Sequence, residues 1–352
     1  MKHAAFARPR YHFCHPSSLV QTPVVRAPLA MARWMALTSR SYEPLARSSH
    51  SLTAIGRSLY CFGGEHAPRV PIDATVHRYD LDAGEWEALP APAGAPCPSA
   101  RVAHAAAAVG DTLYVFGGRE GVNEQKALGD TWAFDTVARA WRQLACSGVC
   151  PPARSYHAAT ALAGTTKLFV FGGCGASGRL NDLWALDTAT ETWEHLPSSD
   201  AVAPRGGSCV TSHAGCLYVA AGYSGAAELS DLHCYDVAAR AWRVLEASGA
   251  ATLPARSVAA LGVVGDALYI FGGEAEVSEQ GHAGAGRFRN DAWRWPLGGE
   301  EPKAWTQVHA AGEPPAPRGW LAAAAVPGLG LCLHGGNCEN NERLSDMLVL
   351  QA

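Results

Sequence analysis

The chain has 352 residues, 48% of them hydrophobic and 17% charged, with a formal net charge of -4. That length fits one large all-β domain or two average ones, and the mild charge without a basic run argues against nucleic acid as the main partner. No apolar stretch approaches the roughly 18 residues of a membrane-spanning helix, so a membrane partner is not expected either.

Residues 1–42 carry six basic residues (Lys2, Arg8, Arg10, Arg26, Arg33 and Arg40), several Ser and Thr, and no acid. That is the composition of an organelle transit peptide. An irregular extension, or initiation at Met31, accounts for it equally. The expected organisation is a basic extension over 1–30 followed by one domain over 31–352. The expected compartment is the cytoplasm, with plastid or mitochondrion as the alternative through the basic N-terminus. Eleven scattered cysteines without a repeated spacing speak against a secreted disulfide scaffold and for a reducing compartment. Cys146 and Cys150 form the nearest pair but have no partner pair, so a four-ligand structural zinc site is not expected.

From Arg47 onward the chain repeats at a period of about 50 residues, the spacing of propeller blades. Each unit opens on an Arg (Arg47, Arg101, Arg154, Arg205, Arg256, Arg318) and continues into an Ala- and Val-rich strand. A second strand ends in a Gly pair, broken only in the fourth unit, where Ala221 precedes Gly222. A third strand often ends in Asp (Asp80, Asp135, Asp187, Asp236), and a fourth carries a Trp (Trp86, Trp141, Trp193, Trp242, Trp305). Four short β-rich segments separated by Gly and Pro turns predict one antiparallel blade. The Trp predicts a large apolar body wedged between neighbouring blades. The last unit runs out at Leu348-Val349-Leu350, after its third strand. The segment Arg33-Trp34-Met35-Ala36-Leu37 has the W-x-x-L form of the other fourth strands. It is expected to complete that blade and close a ring of six.

This pattern resembles the kelch repeat and covers residues 34–350. The resemblance implies a six-bladed, all-β propeller in which the loops after the Gly pair and those before the Arg share one face. That face is expected to carry Glu65, Arg69, Arg119, Glu120, Arg179, Tyr223, Glu274, His282 and Asn337. The candidate ligand-binding residues are Arg69, Arg119, Arg154, Tyr156, Arg205, Arg256, Arg318 and Trp320. Arginines beside carboxylates suit a small anionic ligand or the acidic segment of a protein partner. The alternative is that the strand-start arginines pair with neighbouring carboxylates and carbonyls to fix the blades.

The fifth blade has the longest loop, and long loops are where function concentrates. Its Glu274-x3-Ser278-x3-His282 offers a carboxylate and an imidazole, which suit non-haem iron or zinc. A third ligand would come from Glu276, Glu279, Ser278, solvent or substrate. Further segments resemble the plant specifier proteins of glucosinolate breakdown. They are Gly63-Gly64-Glu65 with Pro68-Arg69-Val70-Pro71-Ile72-Asp73, Arg205-Gly206-Gly207, Gly272-Gly273-Glu274 with His282, Arg318-Gly319-Trp320, and His334-Gly335-Gly336 with Asn341-x-Arg343. The resemblance implies an Fe(II) motif Glu-x3-Asp-x3-His, in which Glu274 and His282 match and Ser278 takes the Asp position. Glu279 is then the expected substitute ligand, and Ala105 stands where the family has an Arg. These departures favour a binding or scaffold propeller without the full iron chemistry and without a resident cofactor. The alternative is an Fe(II)-dependent, nitrile-specifier-like lyase. Catalytic residues are not assigned.

Overall fold

The structure, a computed structural model, describes Met1 and residues 31–40, 42–122, 126–249, 251–280, 284–299 and 301–352. Among the described residues every regular element is a strand. In the first blade Ser51–Ile55, Ser58–Phe62, Val76–Asp80 and Glu85–Leu89 are hydrogen-bonded in that order. The next four blades repeat the same order, and the six inner strands contact one another in a closed ring. The sixth blade takes three strands from the C-terminal end, Ala322–Val326, Gly330–Asn337 and Arg343–Gln351. Its outer strand is Arg33–Leu37, in register from Trp34 opposite Leu350 to Leu37 opposite Met347. The six-bladed all-β expectation and its N-terminal clasp both hold.

The Trp residues do wedge between blades. Trp141, Trp193, Trp242 and Trp34 each lie 5.0–5.7 Å from the Phe that precedes the Gly pair of the neighbouring blade (Phe62, Phe116, Phe171 and Phe271). At the seam between blades 6 and 1 the Phe position is His334, and Trp86 packs on that imidazole at 5.4 Å. Such tilted and edge-on contacts suit the ring quadrupoles and add to the buried apolar area.

The strand-start arginines lie inside the blades, not on the loop face. Arg47, Arg101, Arg154, Arg205 and Arg256 have no exposed surface, and Arg318 retains 2%. Each donates from Nε to the carbonyl two residues back and from Nη1 to the carbonyl of the first residue of the Gly pair. In five blades the guanidinium also forms a bidentate pair with an Asp at the start of the third strand: Asp130, Asp182, Asp231, Asp291 and Asp346, at 2.5–3.1 Å. Arg154, Arg205, Arg256 and Arg318 therefore spend their donors on their own blades. The planar fork matches the carboxylate in two parallel bonds, which ties the first, second and third strands together. In blade 1 Thr75 takes the Asp position, and Arg47 meets His77 Nε2 at 3.2 Å instead.

The Gly pairs are needed where this network is tightest. Gly273 has φ +99°, and a Cβ there would sit 2.6 Å from the Ser257 carbonyl oxygen. Ala221 keeps the left-handed conformation of the first pair position, at φ 59°. The fourth blade thus preserves the backbone path without the glycine there.

Candidate functional site

Two residues after each strand-start Arg the backbone turns left-handed: Ser49, Ala103, Tyr156, Gly207, Val258 and Trp320 have φ between 46° and 62°. Each N–H donates to the carbonyl of the equivalent residue in the preceding blade, at 2.8–2.9 Å, so the six peptides form a closed collar of hydrogen bonds around the axis. Five of the six are not glycine. Left-handed backbone at such residues costs roughly 1–3 kcal/mol each, and it recurs at positions that function has fixed. Here it aims the Tyr156 and Trp320 side chains from the collar onto the loop face.

Over one side of the collar lies a cavity of roughly 330 Å³. Tyr156, Gly207, Val258 and Trp320 form its floor. The walls come from the segments after the Gly pairs of blades 3, 4 and 5: Cys174 and Arg179, Tyr223, then Glu274, Val277, Ser278 and Glu279. Gly206 lines it as well, and a Cβ there would press to 2.8 Å on the Cys174 sulfur. Such volumes sit at the small end of the roughly 300–1,000 Å³ of ligand sites.

Two cations support its aromatic lining, one at the floor and one at the wall. The Arg119 guanidinium lies 5.9 Å from the Tyr156 ring centroid and donates to Ser155 Oγ. Arg179 lies 5.4 Å from the Tyr223 ring and donates to Cys174 Sγ, while its Nε is buried without a partner. Both contacts are cation–π geometries.

The acid in the wall is unusual. Glu274 is only 5% exposed, and among the described residues its carboxyl has no hydrogen-bond or ion-pair partner. Burial, followed by the charge of neighbouring Glu228, pushes its pKa up to about 8. Glu228 is itself pushed up to about 7 by burial, against smaller pulls from Ser257 and Arg179. Both its carboxyl oxygens are buried without a well-formed hydrogen bond. Two desolvated carboxyls sharing one seam disfavour their joint ionisation. A Cβ on Gly286 would run into Glu274 Oε1, so that glycine leaves room for the acid.

Of the residues proposed from sequence, the structure brings Tyr156, Trp320, Glu274, Ser278 and Glu279 together at this cavity. Arg119 backs it through Tyr156. Arg69 is exposed in blade 1, with φ 61° and its N–H donating to Glu65 at 2.6 Å. Arg154, Arg205, Arg256 and Arg318 are the internal pairs already described. His282 lies outside the described residues. Glu228 and Cys174 were not anticipated. Glu228 could have been found by aligning the residue three before the Arg-paired Asp, where blades 3 and 6 carry Arg179 and Arg343.

Of the ligands expected for Fe(II), Glu274 is the one buried carboxylate among the described residues. Ser278 has a neutral hydroxyl that accepts from the Gln280 N–H, and Glu279 is exposed. Among the described residues, the one group of three convergent ligand atoms is His50, Cys61 and His334, within 4.8 Å of one another. None of these lines this cavity. His334 Nδ1 and His50 Nε2 are 2.9 Å apart at the seam of blades 6 and 1. Burial holds the His334 pKa down to about 3, and Arg47 adds to that effect.

A family model described as the KLHDC2/KLHL20/DRC7 Kelch-repeats domain matches residues 30–273. The chain is 31% identical over 341 residues to an N-(sulfonatooxy)prop-2-enimidothioate sulfolyase of Thlaspi arvense, covering 89% of this chain and 95% of that protein. It is 33% identical over 181 residues to Adagio protein 3 of Arabidopsis thaliana, spanning 49% of this chain but 28% of the relative. To human Kelch domain-containing protein 3 it is 29% identical over 188 residues, half of this chain and 48% of the relative. Among solved structures, YjhT aligns over 90% of this chain and all of its own with a TM-score of 0.71 at 16% identity, a likeness of fold.

Proposed function

Because the chain belongs to the kelch-repeat propeller family, we propose that it is a ligand-binding propeller whose site is the cavity between blades 3 and 5 on the loop face. The observation that carries this is the buried Glu274, without a polar partner among the described residues, in the wall of a small concave site floored by Tyr156 and Trp320. Concave sites with a few convergent polar groups and displaced pKa values are the usual form of small-molecule sites. The volume suits a small molecule better than a protein segment. A protein partner expected from the sequence would sit on the rim, where Arg69 and Glu279 are exposed.

A thermal-shift screen of small aromatic and aliphatic fragments tests this reading. Compounds that raise the melting temperature should lose their effect when Tyr223 or Trp320 is replaced by alanine. A screen whose hits are indifferent to both substitutions would sink it.

The second reading is a specifier-like lyase, favoured by the 31% identity that extends over 95% of the Thlaspi sulfolyase. With His282 outside the described residues, no reaction step is assigned here to iron. Metal analysis of purified protein and an assay on that sulfolyase's own substrate with added ferrous iron decide it. Stoichiometric iron lost on Glu274→Ala, together with desulfation, would establish the lyase and remove the simple binding reading.

A further inference from the structure

The six blades place chemically different residues at equivalent seams, and the comparison bears on what the cavity takes. Three residues before the Arg-paired Asp, blades 3, 4 and 6 carry Arg179, Glu228 and Arg343. The residue after the Gly pair of the following blade is Tyr223, Glu274 and Glu65, respectively.

At the seam of blades 6 and 1 the pair is complete. The Arg343 guanidinium meets Glu65 at 3.2 Å with both side chains buried, and Ser48 and Ser49 donate to the same oxygen. At the seam of blades 3 and 4 Arg179 covers Tyr223. At the seam of blades 4 and 5 the position of the guanidinium is taken by Glu228, whose charge acts on Glu274, and among the described residues no cation pairs with Glu274. Arg179 acts on Glu228 electrostatically but forms no ion pair with it. The equivalent of Glu65 is thus present, the equivalent of Arg343 is replaced by a second acid, and Glu274 opens instead on the cavity.

Buried carboxylates are ordinarily paired, and Glu274 is buried, unpartnered and aimed into a cavity floored by aromatic rings. We propose that the ligand carries a cationic nitrogen centre, an ammonium, amidinium or guanidinium on a flat apolar body. Its N–H donors meet Glu274 as Arg343 meets Glu65, and its body lies on Trp320 and Tyr156. This rests on the small-molecule reading of the cavity and names the ligand class for it. It departs from the anionic ligand expected from the sequence, because four of the arginines that suggested an anion, Arg154, Arg205, Arg256 and Arg318, are paired inside the blades.

The test uses the full chain and three planar probes of nearly equal size: benzamidine (cationic), benzamide (neutral) and benzoate (anionic), titrated by calorimetry. Benzamidine should bind at least about tenfold more tightly than benzamide, the worth of one charge-assisted hydrogen bond, and benzoate most weakly. Glu274→Gln should erase the preference for benzamidine over benzamide, and Glu228→Gln should reduce it. Both substitutions keep the side-chain volume, and a melting curve confirms the fold of each variant. Benzamide or benzoate binding as well as benzamidine would overturn the inference while leaving the cavity a ligand site. Failure of all three probes to bind would overturn both. A preference that survives Glu274→Gln would also overturn it. Ferrous ion titrated alone is the remaining arm: tight uptake that blocks benzamidine and vanishes in Glu274→Gln would make the acids metal ligands and refute the organic cation.

Discussion

Replacing Arg154 by methionine separates the framework role of the strand-start arginines from the ligand-binding role they suggest in sequence. The Arg154 guanidinium donates to the Pro152 and Gly172 carbonyls at 3.0 Å and to the two Asp182 oxygens at 2.7 and 2.8 Å. Methionine fills much of the volume but leaves the Asp182 carboxylate, 20% exposed, with the Trp184 N–H at 2.7 Å as its remaining side-chain donor. Breaking one side of a buried pair costs about 3–5 kcal/mol, because the surviving charge stays desolvated. With a urea dependence of about 3 kcal/mol per molar for a chain of this size, the unfolding midpoint should fall by about 1 M or more. The double variant Arg154→Met, Asp182→Leu should recover most of the loss, since replacing the whole pair by apolar groups is often near neutral. If Arg154→Met shifts stability by less than about 0.5 kcal/mol, the framework argument is wrong. Loss of ligand binding at unchanged stability would return Arg154 to the loop-face site.

Four further outcomes follow. Glu274 has a folded pKa above its unfolded value, so the native state holds more protons between them and loses stability as pH rises through about 8; Glu274→Gln should therefore gain about 2 kcal/mol over the parent at pH 9, and no gain would refute the buried like-charge pair. His104, His157 and His334 are held to about 3 by burial. The unfolded chain then binds protons that the native state cannot, and stability present above about pH 6.5 should fall by about 2 kcal/mol or more by pH 5 in urea titrations. Trp34→Ala empties a side chain that is 8% exposed and 5.0 Å from Phe271; a loss of about 3–5 kcal/mol is expected, and a negligible one would mean that the clasp does not hold the ring. Gly273→Ala drives a methyl group to 2.6 Å from the Ser257 carbonyl oxygen in a left-handed backbone. It should give little soluble protein, whereas Gly94→Ala, with nothing within 4 Å of its added Cβ, pays only the cost of its φ of +78°, about 1–2 kcal/mol.

The fold was legible because its signals are local and repeated. The Gly pairs mark backbone that a Cβ would block, and the W-x-x-L of 34–37 reappears as a strand paired with residues more than three hundred positions away. The site was legible in part. Tyr156 and Trp320 stood out as aromatics beside an Arg, and Glu274 stood out on the longest loop. The arginines misled because a guanidinium looks the same in sequence whether it faces solvent or a buried carboxylate. Their partners, such as Asp182 and Asp291, differ from the strand-ending Asp187 and Asp236, whose oxygens accept from turn N–H groups. The signal that separates four of the five is a Trp or His two residues on, whose ring N–H reaches the same carboxylate at 2.6–2.7 Å. The Glu228–Glu274 pairing was not legible, because it joins two blades and emerges only when their seams are superposed.

The clasp also sets an order of events in time. Among the described strands Arg33–Leu37 is made first and its partner Arg343–Gln351 last. During synthesis the intervening blades can form one after another from local hairpins, but Arg33–Leu37 has nothing to pair with until Arg343–Gln351 has been made. For that interval Trp34 is an apolar side chain without a pocket, and blade 1 presents an open flank where His334 will later lie against Trp86. Ribosome stalling or premature termination should accordingly yield a chain of mostly native blades with one sticky seam, prone to engage a second copy or a chaperone.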